Sequence, residues 1–336
     1  MPDRTSLAGS SGRPLCEVYD AAFLDLDGVV YVGPYPVPHA AASLHRAAES
    51  GMNLVYVTNN ASRTPSHVVQ HLRDIGMPAK DGSVVTSAQA AAGLARQTFG
   101  PEASALVIGA EGLRAAVREY GLREVSSAEE GPDVVLQGFG RDVAWSDLAE
   151  ASFAVGKGVP WIATNTDQTV PTPRGLAPGN GTLVAVVVSA TGIRPTVAGK
   201  PEAPLFDEAV KRTGAVRPLM VGDRMDTDIQ GASAAGLDSL LVLTGATDPD
   251  ALVRAPAAMR PSFVAEDLRG LLQSHPAVDI HGSVFGCGGW QISVHGTDLV
   301  VDGSGGKHDG LRAVCAAAWS HDGLRGTAKA LSEVGW

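Results

Sequence analysis

From Tyr19 to Leu243 the chain alternates short apolar runs with stretches of helical period. The apolar runs predict buried strands at Tyr19–Asp25, Met52–Val57, Ala105–Ile108, Val134–Gln137, Trp161–Thr164, Pro218–Val221 and Ser239–Leu243, with a shorter one at Thr196–Ala198. Between them, Ala40–Ser50, Ser87–Gln97, Glu111–Tyr120, Trp145–Val155, Thr182–Ser189 and Leu205–Thr213 read as helices. Another helix starts at Thr64, whose hydroxyl can cap it. It carries Pro65 in its first turn and stops at Gly76 and Pro78. Such alternation predicts an α/β fold built on a parallel sheet. Two stretches break the rhythm. Gly33 to Pro38 holds three prolines and reads as irregular, and Thr166 to Asn180 holds three prolines and two glycines. A long ordered loop of the second kind is more often functional than accidental. Beyond residue 275 the pattern changes. His281 to Asp302 alternates apolar and polar residues among glycines, which predicts a β-meander, and Asp309–Ser320 and Thr327–Val334 predict helices.

Polar residues follow the strands in a consistent way. Asp25-Leu26-Asp27-Gly28 closes the first apolar run, Thr58-Asn59-Asn60 the second, Lys200 comes just after Thr196–Ala198, and Asp223 to Asp228 follows Pro218–Val221. Asp is a poor strand residue, so a pair of them at a strand end needs a reason. In open α/β sheets, ligands bind beyond the carboxyl ends of the strands. If these strands are parallel neighbours, the four sets converge. Clustered carboxylates repel, and a hard divalent cation held by oxygens removes that cost; beside a phosphate the usual choice is Mg²⁺. Lys200 supplies a compact positive charge, Thr58 a hydroxyl, and the helix after Thr64 its N-terminal field. Together these describe a phosphoryl-transfer site. Each part has a plainer reading on its own: an acidic turn, a helix cap, a surface lysine, and for Asn60 a turn former.

Composition narrows the field. At 336 residues there is room for two or three domains. A net charge of -10 argues against nucleic acid or an anionic membrane as partner. Three scattered cysteines, Cys16, Cys287 and Cys315, suggest a reducing compartment without a disulfide framework. Residues 1–14 are polar, lack the apolar segment of a secretory signal, and read as a disordered leader. No apolar run approaches the ~18 residues that span a bilayer, so the expected location is cytoplasmic. His67 and His71 share a helix face but lack a third ligand, and read as solvated. Gly303-Ser304-Gly305-Gly306 lacks P-loop spacing, and Trp145 and Trp161 read as core.

DLDGVV, TNN, GKP and GDRMDTD, in this order, resemble the four motifs of the haloacid dehalogenase (HAD) superfamily. The long insert between the second and third resembles the type-2 cap of the NagD-like branch, as does ATNTDQTVPTPRGLAPGNGTLVAVV within it. The resemblance covers about residues 18–270. It implies a Rossmann-like doubly wound parallel core over 15–82 and 190–275, an α/β cap over 83–189, and a small α+β extension over 276–336. It also implies residue roles. Asp25 is the nucleophile that forms an aspartyl-phosphate, and Asp27 the general acid and base. Thr58, Asn59 and Asn60 hold the phosphate, and Lys200 neutralises it and the nucleophile. Asp25, the Asp27 carbonyl and Asp223 bind Mg²⁺, with Asp228 behind them. The carboxylate at Asp27 separates the chain from the dehalogenases, which lack one there.

The implied activity is hydrolysis of a small phosphorylated metabolite. With its extension, the chain resembles the actinobacterial glycerol 3-phosphate phosphatases, which implies a place in glycerophospholipid metabolism. Phosphoglycolate, pyridoxal phosphate and 4-nitrophenyl phosphate are the other substrates implied, and a phosphomutase keeps the same carboxylate pair. A regulatory binding protein on this fold is the non-enzyme alternative, against which the intact motifs argue. The cap surface is a common dimer site in this branch, so a homodimer would form there. The tail resembles part of an acetyltransferase-like (GNAT) fold. It is too short for a complete acetyl-CoA site and is expected to pack on the core or mediate association.

Overall fold

The structure, a computed structural model, describes residue 7 and residues 10–172, 174–321 and 323–336. The chain forms two compact units. One comprises Met1–Leu54, Ile75–Pro78 and Ala215–Trp336, the other Val55–Asp74 and Ala79–Gly214.

In the first unit four parallel strands lie in the order Phe263–Ala265, Asp238–Val242, Pro218–Gly222, Ala21–Leu24. Ala21–Leu24 and Pro218–Gly222 are buried throughout, as strands of a parallel sheet are when both faces are covered. Leu24 lies opposite Val221, so the residues that follow, Asp25 and Asp223, leave the sheet at one edge. Phe263–Ala265 is an element that periodicity does not reveal, because three residues are too short a run to carry a pattern. The irregular stretch at 33–38 contributes to a minimal hairpin, Tyr31–Val32 with Tyr35–Pro36.

The extension is an antiparallel meander of Asp279–His281, Val284–Cys287, Trp290–His295 and Asp298–Gly303, followed by helices Lys307–Ser320 and Thr327–Glu333. It does not stand apart from the core. Phe285, Ile292, Leu311, Val314 and Cys315 of the extension share one apolar cluster with Ile229, Leu241, Leu252 and Val264. The glycine turn before Lys307 serves this packing. A Cβ on Gly305 would lie 2.2 Å from the Gly288 carbonyl oxygen, and the Trp290 indole donates to the Gly306 carbonyl at 3.1 Å.

The expected disordered leader is corrected at its described residues. Leu7 is buried in that same cluster, and Ser11 and His275 exchange backbone hydrogen bonds of 2.9 and 3.1 Å. One apolar side chain and one backbone pair hold these described residues, although the surrounding composition is polar. Residues 1–6 and 8–9 lie outside the described residues.

Asn53–Thr58 carries the chain into the second unit, where it pairs in parallel with Val84–Thr86. A separate five-stranded parallel sheet follows, in the order Thr196–Val197, Trp161–Ala163, Val134–Gln137, Ser104–Ile108, Arg123–Val125. Helices Trp145–Gly156 and Asn180–Thr191 bury Leu148, Ala151, Val184 and Val187 against Leu106, Val135, Trp161 and Ala163. Trp161 is thus core, but Trp145 is 80% exposed, against expectation. It stands at the first helical position, one turn before Leu148, and helix side chains lean back toward the N-terminus. The long loop from Thr166 contains a hairpin, Thr169–Thr172 paired with Gly175–Pro178. A two-stranded ribbon has only edge strands, which is where proline is tolerated.

The shared core makes a prediction for the extension. Leu311 is fully buried, and Leu311→Ala should cost about 2–5 kcal/mol in urea denaturation. A chain ending at Ser274, which uncovers Leu241 and Val264, should lose its cooperative thermal transition.

Candidate active site

The first and fourth motifs fall in the first unit and the second and third in the other. Asp25 follows Ala21–Leu24 and is tied to the neighbouring strand by its own N–H, which donates to the Val221 carbonyl at 2.9 Å. Asp223 follows Pro218–Gly222, and a single π-helical turn, Met225–Ile229, brings Asp228 back toward it. Asp25 is half-buried, and Asp223 and Asp228 are 3% and 0% exposed. Carboxylate oxygens of these three residues lie within 4.8 Å of one another. Asp228, expected behind the others, contributes an oxygen to the same cluster.

Glycines make this crowding possible. Gly28 turns the chain at φ +85°, and a Cβ there would lie 2.5 Å from Asp223 Oδ2. A Cβ on Gly245 would lie 2.0 Å from that oxygen, and one on Gly222 2.2 Å from Asp228 Cβ. Backbone donors then fix the carboxylates. The Ala246 N–H donates to Asp223 Oδ2 at 2.7 Å, and the Arg224 N–H to Asp228 Oδ2 at 3.1 Å. The loop itself is tied down: the Thr247 hydroxyl donates to the Asp223 carbonyl at 2.6 Å, and the Thr244 hydroxyl to the Gly28 carbonyl at 2.5 Å. Asp27 is exposed, outside the cluster of carboxylate oxygens. The donor set is all hard oxygen, which fits Mg²⁺ or Ca²⁺ and suits neither zinc nor copper.

In the second unit, Thr58 ends its strand and accepts the Asn60 N–H on Oγ1 at 3.1 Å. Lys200 is 3% exposed. Asn59 grips its backbone at two points: Oδ1 accepts the Lys200 N–H at 2.8 Å, and Nδ2 donates to the Lys200 carbonyl at 3.0 Å. The Asn59 side chain is thereby committed, which leaves only its N–H for an anion. Asn60, expected to hold phosphate, forms a turn through its side chain. Its side-chain oxygen accepts from the Ser62 N–H and hydroxyl at 2.9 and 2.8 Å. His67 is exposed and, with His71, belongs to no metal-ligand group among the described residues. Arg224 is exposed and paired with Asp226.

Sequence reasoning passed over Asn165, Asp167 and Asn180. Asn165 Nδ2 donates to the Asn59 carbonyl at 2.8 Å, Asn180 Nδ2 to the Asn165 carbonyl at 2.7 Å, and Asn59 Nδ2 reaches Asp167 at 3.4 Å. The signal was available: Thr164-Asn165-Thr166-Asp167 follows an apolar strand just as Thr58-Asn59-Asn60 does.

Over 316 residues the chain is 43% identical to the D-glycerol 3-phosphate phosphatase of Mycobacterium tuberculosis, a match covering 91% of this chain and 88% of that one. The chain belongs to the haloacid dehalogenase-like hydrolase family. The family descriptions "haloacid dehalogenase-like hydrolase" and "HAD-hydrolase-like" match residues 22–123 and 197–271, and a GCN5-related N-acetyltransferase-like description matches 287–336. The crystal structure of the M. tuberculosis glycerol phosphate phosphatase with magnesium superposes with a TM-score of 0.87 at 41% identity, covering 96% of this chain and 99% of that one. A second relative, a 5′-nucleotidase of Bacillus subtilis, is 38% identical over 69% of this chain and 90% of its own.

The glycine cradle is testable apart from turnover. Gly28→Ala presses a methyl on Asp223 at a positive φ, and should weaken Mg²⁺ binding measured by calorimetry roughly tenfold or more.

Proposed function

We propose that this protein is a Mg²⁺-dependent phosphatase that releases inorganic phosphate from a small phosphorylated metabolite, glycerol 3-phosphate first among them. The observation that carries this reading is the three-carboxylate cluster at the strand ends, with a second carboxylate two residues after Asp25. The substrate comes from the name of the relative at 43% identity.

The residues divide the work. Asp25, half-buried and fixed through its backbone, attacks phosphorus and forms an aspartyl-phosphate as the bond to the leaving oxygen breaks. Asp27, exposed to solvent, protonates that oxygen and then takes a proton from the water that frees phosphate and Asp25. The Thr58 hydroxyl and the Asn59 N–H hold phosphoryl oxygens, and Lys200 neutralises the phosphoryl group and Asp25. Asp25, Asp223 and the Asp27 carbonyl would hold Mg²⁺, with Asp228 supporting them. When bound, the ion offsets the charge of the phosphoryl group. The segment 83–189 acts as the cap that admits only small leaving groups and excludes water. Its helices Trp145–Gly156 and Asn180–Thr191 leave Trp145, Phe153 and Val186 exposed, which suits a homodimer through this surface. A cytoplasmic location fits the three free, buried cysteines; no helix among the described residues is long and apolar enough to cross a membrane.

A panel of glycerol 3-phosphate, phosphoglycolate, pyridoxal phosphate and 4-nitrophenyl phosphate with Mg²⁺ tests the reading through free phosphate. Glycerol 3-phosphate should give the highest kcat/KM, whereas a phosphomutase would isomerise an ester without releasing phosphate. Asp27→Asn should lower kcat about 10²–10⁴-fold. Asp25→Asn should abolish turnover, and unchanged turnover in that variant would sink the mechanism.

A further inference from the structure

We infer that Asn59 is a positioning residue whose side chain acts through Lys200 rather than on substrate; this rests on the role proposed above for Lys200. The strand leading to Lys200, Thr196–Val197, is only two residues long. Its ladder extends one step further, where the Ala198 N–H donates to the Ala163 carbonyl at 2.9 Å, and then the chain turns at Gly199. At Lys200 a side chain takes over from the missing strand. Asn59 offers one acceptor and one donor, at 2.8 and 3.0 Å, to the N–H and carbonyl of a single residue. This is the pair of bonds that a neighbouring strand would make. A carboxamide is the short side chain that carries both functions, and its second N–H points to Asp167 at 3.4 Å.

Asn59 is itself held from behind. Its carbonyl accepts the Ser87 hydroxyl at 2.7 Å and Asn165 Nδ2 at 2.8 Å. Asn165 in turn accepts the Asp167 N–H on its side-chain oxygen at 3.1 Å, and Asn180 Nδ2, from the first turn of the helix Asn180–Thr191, on its carbonyl at 2.7 Å. The clamp needs a bare backbone beside it, since a Cβ on Gly199 would lie 2.5 Å from Asn59 Oδ1 and 2.4 Å from the Thr164 carbonyl. Lys200 has a long, flexible stem and a point charge, so its placement depends on where its backbone is fixed. Thr58 and Asn59 are adjacent. The same short segment therefore presents a hydroxyl with one residue and fixes the lysine with the next.

The test is a double-mutant cycle on the full-length protein. It reads 4-nitrophenyl phosphate turnover with saturating Mg²⁺ and inorganic phosphate affinity by calorimetry, with thermal melting alongside. Asn59→Ala should lower kcat about 10²-fold, the cost of misplacing a charged group by an ångström or so. Asn59→Asp has the same shape but sets an oxygen against the Lys200 carbonyl, and should act in the same direction with the fold kept. In a Lys200→Ala background both substitutions should change turnover and phosphate affinity by no more than about twofold. Equal losses with and without the Lys200 amine would show that Asn59 serves the fold or the phosphate directly, and would overturn the inference. So would Asn59 variants with native turnover. Native turnover in Lys200→Ala alone would instead overturn the proposed role of Lys200.

Discussion

The acidic site depends on one constraint: three carboxylates must be held within 4.8 Å of one another while two of their residues are buried. Like charges at that range oppose the folded state, and desolvation adds to the cost. The chain meets it by leaving out side chains. Gly28, Gly222 and Gly245 each stand where a Cβ would overlap Asp223 or Asp228, so backbone closes around the carboxylates with no room for them to swing apart. N–H groups of Ala246 and Arg224 then fill part of the acceptor capacity of the buried oxygens. The sheet register follows from the same demand. Asp25 and Asp223 can meet because Leu24 and Val221 are partners, and a one-residue slip would send one carboxylate to the opposite face.

The other unit solves a different problem. There a buried lysine, Lys200, is to be fixed just beyond a two-residue strand. Crowding cannot do it, because the stem is flexible. Amide side chains do it by standing in for backbone, with Asn59, Asn165 and Asn180 each bonded to a main-chain carbonyl of another residue. Asparagine offers that substitution at the shortest reach, so the stretches that look merely polar in TNN and TNTD are structural hydrogen-bonding units.

How much of this could be read beforehand follows from where the information lies. Strand ends that pair apolar runs with Asp, Thr or Lys were legible because burial and charge conflict locally, and the conflict is visible within a few residues. The parallel α/β class was legible because its strands are buried on both faces and interrupted by helices. Asn59 was legible as a polar residue at a strand end, but its partners were not. Whether an amide faces an anion or a backbone depends on Lys200, 141 positions away. Trp145 misled because helical period reports the buried stripe and says nothing of where the opposing sheet stops. The hairpin within 166–180 was hidden by its prolines, which forbid interior strands but allow a ribbon made of edges.

The extension shows the same limit at larger scale. Its alternating strands and two helices were visible, yet nothing in its pattern told a separate module from a part of the core. The deciding fact is that Leu311 and Val314 share a cluster with Leu241 and Val264, residues whose own neighbours in sequence already explain their apolar character. A cluster that includes Ile229, the last residue of the π-helical turn carrying Asp228, links this packing to the acidic site. The extension thus packs in one core with the turn that brings Asp228 to the carboxylate cluster.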